Sequence, residues 1–140
     1  MKVPKYFYNQ TGVIPLKKEN GVLKICLITS RKKKKWIFPK GIQEPGKTFV
    51  QIAEQEAFEE AGLKGKVFPQ KVGLLTNKKW KGICTINYLN MDVKEIFKVY
   101  PEDFRNRVFV TLKEAKKLLS KKHFELLKKA IKFYSEQQLT

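Results

Sequence analysis

The stretch from Gly41 to Leu63, GIQEPGKTFVQIAEQEAFEEAGL, constrains this chain more than any other, because it gathers acid in a protein of formal net charge +17. Five of the 13 acidic residues, Glu44, Glu54, Glu56, Glu59 and Glu60, fall inside it. Pro45-Gly46 is a turn dipeptide, Thr48 suits an N-cap, and Gly62 before Leu63 suits the left-handed residue that ends a helix. The pattern therefore predicts a loop followed by a helix over about residues 49–61. At ~100° per residue, Ile52, Glu56, Glu59 and Glu60 share one arc and Val50, Ala53, Ala57 and Ala61 the next. The small apolar arc can pack on a sheet, which leaves the carboxylates at its edge.

Carboxylates spaced i, i+3 and i+4 repel one another, and no cation stands at helical spacing between them. Two readings are open on the glutamates alone: a solvated acidic helix face, or an oxygen ligand set for a hard divalent ion such as Mg²⁺ or Mn²⁺. The stretch as a whole resembles the Nudix box, in which Gly, a Glu after five intervening residues, Arg-Glu, Glu-Glu and a closing Gly-aliphatic pair recur at fixed spacing. Gly41, Glu56, Ala57, Glu59, Glu60, Gly62 and Leu63 occupy their places in that pattern. Lys47 stands where Glu is usual, and Gln55 where Arg is usual.

Flanking segments extend the likeness over about residues 11–133. Thr11-Gly12-Val13-Ile14-Pro15, Leu27-Ile28-Thr29-Ser30-Arg31 and Trp36-Ile37-Phe38-Pro39-Lys40-Gly41 lie upstream; Tyr100-Pro101-Glu102, Arg105, Arg107 and Val110-Thr111-Leu112-Lys113-Glu114-Ala115 lie downstream. Together they are similar to the diphosphoinositol polyphosphate phosphohydrolase-like branch.

The resemblance implies an α/β/α sandwich with a mixed sheet and a loop-helix-loop metal site. It implies hydrolysis of a phosphoanhydride with Mg²⁺ or Mn²⁺ as cofactor, held by Glu56, Glu59, Glu60 and the Gly41 carbonyl. Glu56 or Glu59 would be the catalytic base. Glu102 is a candidate extra ligand, with Asp103, Glu95 and Asp92 as rivals and a plain surface role as the alternative. Arg31, Lys40 and Arg105 are the candidate substrate-binding cations. Because the box Arg normally orients the catalytic glutamate and Gln55 offers only a neutral amide, slow catalysis is expected.

Composition sets the frame. A chain of 140 residues fits a single domain, 1–140, that can bury roughly two thirds of its unfolded surface. The N-terminal MKVPKYFYNQ has no apolar core and no apolar run nears ~18 residues, so a cytoplasmic protein with no membrane contact is expected. Cys26 and Cys84 lack metal-ligand spacing and read as buried apolar residues. His123, the one histidine, sits in a lysine-rich helix and reads as a surface or packing residue. Of 30 basic residues only Arg31, Arg105 and Arg107 are arginine, so these carry more information than the lysine runs at 32–35 and 78–81, which read as solvated loops.

Asn20-Gly21 marks a hairpin between strands at 13–16 and 22–29. Further strands are expected at 36–38, 66–75, 83–92 and 108–110, a polar turn at 76–82, and helices at about 112–119 and 121–137. The last helix carries Phe124, Leu127, Ala130, Ile131 and Tyr134 on one packing stripe. The expected partner is a small phosphorylated substrate: a dinucleoside polyphosphate, a nucleoside diphosphate derivative or an inositol polyphosphate. A weakened module binding a nucleotide or RNA is the alternative, with Trp80 between lysines its one support. Oligomeric state is not legible.

Overall fold

The computed structural model describes residues 2–139. A short 3₁₀ turn, Lys5–Tyr8, leads into strand β1, Asn9–Glu19, which the Asn20-Gly21 turn joins to β2, Val22–Thr29. Both turn residues have positive φ, 51° and 79°, the conformation that matches hairpin twist and that Asn and Gly adopt at least cost. Two short strands follow, β3 (Trp36–Ile37) and β4 (Lys40–Ile42), then helix α1 (Phe49–Ala61). A long hairpin of β5 (Leu63–Lys79) and β6 (Gly82–Ile96) precedes β7 (Arg107–Val110), α2 (Leu112–Leu118) and α3 (Lys121–Gln137).

The strands form one seven-stranded mixed sheet with the path β3-β2-β1-β6-β5, on which β4 pairs with β1 and β7 with β2. The β1–β6 pairing is parallel, Gly12 lying opposite Tyr88, and the remaining pairings are antiparallel. Alternation along each strand feeds two cores. Val13, Cys26, Ile28, Leu89 and Met91 meet Ala53, Ala57 and Ala61 of α1 on one face. Ile14, Leu16, Ile25, Leu27 and Tyr88 meet Leu126, Leu127, Ala130 and Tyr134 of α3 on the other. This is the expected sandwich: a mixed sheet between helices.

Several expected boundaries move. β1 begins four residues before Val13, because its first half is held on both sides by β4 and β6. The expected polar turn at 76–82 shrinks to Trp80-Lys81, since Thr76 to Lys79 pair with Gly82 to Thr85. Cys26 and Cys84 are buried as free thiols, and burial pushes the Cys26 thiol up to about 12. No helix among the described residues is long and apolar enough to cross a membrane.

Candidate functional site

Helix α1 is fixed at both ends by its own sequence. Thr48 and Gln51 form a reciprocal capping box, and Gly62 closes the helix at φ 64° with its N–H on the Ala57 and Phe58 carbonyls. Arg107 adds a cation at that C-terminus, Nη1 donating to the Ala61 carbonyl at 2.7 Å and to the Phe97 carbonyl at 2.9 Å. It is a structural arginine. So anchored, α1 turns Glu56, Glu59 and Glu60 into an open cleft of about 930 Å³.

Glu56 and Glu60 are buried, at 7% and 8% exposure, where the helix pattern alone suggests edge positions. The difference comes from β4 and the loop after β6, which close over the helix edge: Glu60 Oε1 accepts from the Lys40 backbone N–H at 3.1 Å, and the Glu102 N–H bonds the Glu59 carbonyl at 2.8 Å. Gly41 is in contact with Glu56, and a Cβ there would collide with the carboxyl group. Burial, reinforced by the charges of Glu60 and Glu59, pushes Glu56 up to about 8. Glu60 rises to about 7, burial outweighing the opposing pull of Arg105 and the Lys40 N–H. Burial, with help from Glu102, also raises Glu59.

The cation missing from the helix comes from the chain's far side. Arg105, 8% exposed, sends Nη1 to the Thr29 carbonyl at 3.0 Å and Nη2 to Glu102 Oε1 at 2.9 Å and Glu60 Oε2 at 3.5 Å. Arg31 is its exposed counterpart, 3.6 Å from Glu102 Oε1 and stacked at 5.6 Å on the Phe104 ring. Lys40 Nζ reaches Gln10 Oε1 at 3.3 Å, and its pKa is lowered, by burial first and then by Lys79. Arg31, Lys40, Arg105 and Glu102 thus share the cleft with the three glutamates. The rivals of Glu102 do not: Asp92 is tied to Lys94 at 2.8 Å and to the Tyr134 hydroxyl at 2.9 Å, while Glu95 and Asp103 are exposed elsewhere.

Among the described residues, no three His, Cys, Asp or Glu side chains already converge as a finished metal cage. In kind, however, the donors fit a hard divalent cation: they are carboxylate and carbonyl oxygens, and Glu56 is a buried acid with an amide for a neighbour. The two departures from the box touch one another, Lys47 Nζ donating to Gln55 Oε1 at 2.8 Å.

The opposite wall was not legible in sequence. Trp36, Leu75, Ile86 and Leu118 line it with Asn77, Ser120, Lys122 and His123. His123 packs near the Phe38 ring, 6.2 Å between centroids, and its Nδ1 lies 2.7 Å from Ser120 Oγ. Burial and then the charges of Lys122, Lys40 and Lys35 push its pKa down to about 4, so the ring is neutral at physiological pH. Of the lysine runs, Lys34, Lys35 and Lys79 reach the cleft. Trp80, also at its rim, is buttressed by Tyr8 and Phe7, the Tyr8 hydroxyl donating to the Trp80 carbonyl at 2.7 Å.

Comparison with known proteins bears on this arrangement. Nudix hydrolase 13, mitochondrial, of Arabidopsis thaliana is 31% identical over 107 residues, 69% of this chain and 53% of its own length. Nudix hydrolase 4 of the same plant is 32% identical over 103 residues, 71% of this chain and 49% of its own. The chain thus spans about half the length of these curated relatives. Among solved structures, a binary complex of C. elegans Ap4A hydrolase matches with a TM-score of 0.75 at 20% identity, covering 91% of this chain and 98% of that one. The NUDIX domain of Shewanella oneidensis NrtR, complexed with ADP ribose, matches with a TM-score of 0.65 at 12% identity, covering 94% and 88%. Likeness at such identities shows the fold alone. The sequence pattern itself goes further, since the NUDIX domain model matches residues 9–130, from the first residue of β1 well into α3, and the chain belongs to that family.

Proposed function

We propose that this chain is a divalent-cation-dependent hydrolase of a phosphoanhydride bond in a small polyanion. The observation that carries the proposal is one cleft with two characters: Glu56, Glu59, Glu60 and Glu102 on the α1 side, and Arg31, Lys34, Lys35, Lys40 and Lys79 around them. A phosphoanhydride resists hydroxide because its own oxygens are negative, so a catalyst must neutralise charge and place the attacking water. Mg²⁺ or Mn²⁺, when bound, would supply charge neutralisation and an acidified water. Glu56, Glu59, Glu60 and the Gly41 carbonyl are the groups to hold it, and Glu56 or Glu59 the group to take the proton. Arg31 and Lys40 would grip phosphate oxygens. Arg105 would do so with whatever edge its bonds to Glu60 and Glu102 leave, while keeping those two carboxylates aimed.

The far wall favours a substrate with a flat apolar end. Trp36, Leu75, Ile86 and neutral His123 offer a heterocyclic base a flat apolar seat, which an inositol ring phosphorylated on every side would leave unused even with Lys122 beside it. Nucleotides of the two kinds that the C. elegans hydrolase and the NrtR domain are named with, a dinucleoside polyphosphate and a nucleoside diphosphate derivative, therefore come first. Inositol pyrophosphates, suggested by the flanking motifs, come second. A turnover screen with Mg²⁺ and Mn²⁺ over dinucleoside polyphosphates, ADP-ribose and inositol pyrophosphates tests this ordering. Nucleotide turnover above inositol turnover is expected; the reverse would overturn the base-end reading.

The alternative is a weakened module that binds a nucleotide or RNA. Its specific support is Lys79 Nζ standing 4.6 Å over the Trp80 ring beside Tyr8 and Phe7, a basic and aromatic rim of the kind on which bases stack. Metal-independent RNA binding without turnover of any substrate in the screen would favour it.

A further inference from the structure

Lys47 and Gln55, the two residues that depart from the box, form one unit with Glu44. Lys47 Nζ donates to Gln55 Oε1 at 2.8 Å and pairs with Glu44 Oε2 at 3.4 Å. Gln55 Nε2 faces the other way, 3.3 Å from Glu44 Oε1 and 3.4 Å from Glu56 Oε2. An ammonium carries donors only, so it bonds an amide only by donating to its oxygen end. That choice turns the nitrogen end, with both its hydrogens, onto the two carboxylates. The same contact polarises the amide and strengthens it as a donor.

The unit stands on fixed ground. Gln43 Nε2 donates to the Lys47 carbonyl at 2.6 Å, and the Thr48 capping box starts α1 at the next residue. On its other side Glu56 lies against Gly41, where a Cβ would collide with the carboxyl. The carboxyl is thus confined between backbone and a single amide. Lys47 and Glu44, 41% and 45% exposed, form a surface ion pair, which contributes little to stability. Orientation of Glu56 is the consequence that remains.

We propose that Lys47 and Gln55, which stand where the box usually carries Glu and Arg, are a positioning pair, an ammonium-fixed amide that orients Glu56. The inference rests on the hydrolase reading above and deepens it. A neutral donor holds the glutamate more weakly than a guanidinium, so the pair preserves direction at some cost in rate.

The test uses the full chain and Gln55→Met, which keeps length and removes all three bonds of the amide, together with Lys47→Met, the double variant, and the exchanged pair Lys47→Glu with Gln55→Arg. Gln55→Met is expected to lower kcat about 10- to 100-fold with KM little changed, and to weaken calorimetric Mn²⁺ binding about tenfold, at native Tm. Lys47→Met should act in the same direction, and should add nothing once Gln55 is methionine. The exchanged pair should restore both readouts to the native level or above. If Gln55→Met itself lowers Tm, rescue by the exchanged pair still decides, because it returns a donor to Glu56. Native kcat and Mn²⁺ affinity in Gln55→Met, or losses that simply add, would overturn this inference and leave the hydrolase reading standing. A native chain that neither binds Mn²⁺ nor turns over any substrate would sink both.

Discussion

Arg31 and Arg105 touch the same oxygen of Glu102 and are expected to fail in opposite ways. Arg105 is buried and satisfies the Thr29 carbonyl, so Arg105→Met should cost ~1–3 kcal/mol in a urea titration, with Glu60 left without its cation. Arg31 is 72% exposed in a pair 3.6 Å long, so Arg31→Ala should change stability by no more than ~1 kcal/mol while raising KM. Equal stability losses would mean that Arg31 is structural as well. The glutamates themselves were legible because a long spaced motif names them one by one. The burial of Glu56 and Glu60 was not, because it depends on β4 and the Glu102 loop folding over α1, and helix periodicity reports only the helix's own surface.

At the level of elements, the two hairpin turns differ in how they meet the same demand. Asn20-Gly21 and Trp80-Lys81 both place two residues at positive φ, but Trp80 and Lys81, at 52° and 60°, carry side chains that disfavour it. The Tyr8 hydroxyl and the packing of Phe7 hold the second turn in shape. Lys81→Gly should therefore raise stability by up to ~1 kcal/mol in thermal or urea unfolding, relief of left-handed strain outweighing the glycine entropy. A loss of stability would mean that the Lys81 side chain contributes more than its backbone costs. The contrast also explains what could be read in advance. Helix α1 announces both ends through Thr48 and Gly62, and the first hairpin announces its turn. The second turn has neither Asn nor Gly at its centre, so the extent of β5 and β6 stayed hidden, as did the short β4, which exists only through its pairing with β1.

Across the whole molecule, the cleft joins acids and a histidine whose titrations oppose one another. His123 is held near 4 when folded against about 6.5 when unfolded, so the unfolded chain binds more protons in that window and stability is lost as pH falls through it. Glu56 and Glu60, raised to about 8 and about 7, act in the other sense and withdraw stability as pH rises through those values. Comparing the native chain with His123→Gln isolates the first contribution: the difference in Tm between them should be constant above about 6.5 and change steadily from there toward 4, with the variant the less acid-sensitive. Parallel curves would place His123 in water. The fold that brings these groups together was foreseeable as a mixed sheet between helices, but which side chains share the cleft was not, since α1 and α3 pack on opposite faces of the sheet and yet both send residues to it. The claim that joins every scale is that α1 holds a divalent cation for phosphoanhydride hydrolysis. Mn²⁺-dependent turnover of a dinucleoside polyphosphate by Glu56→Gln is the deciding measurement: it should fall about a hundredfold or more at native or higher Tm, and turnover equal to that of the native chain would mean that α1 holds no catalytic cation.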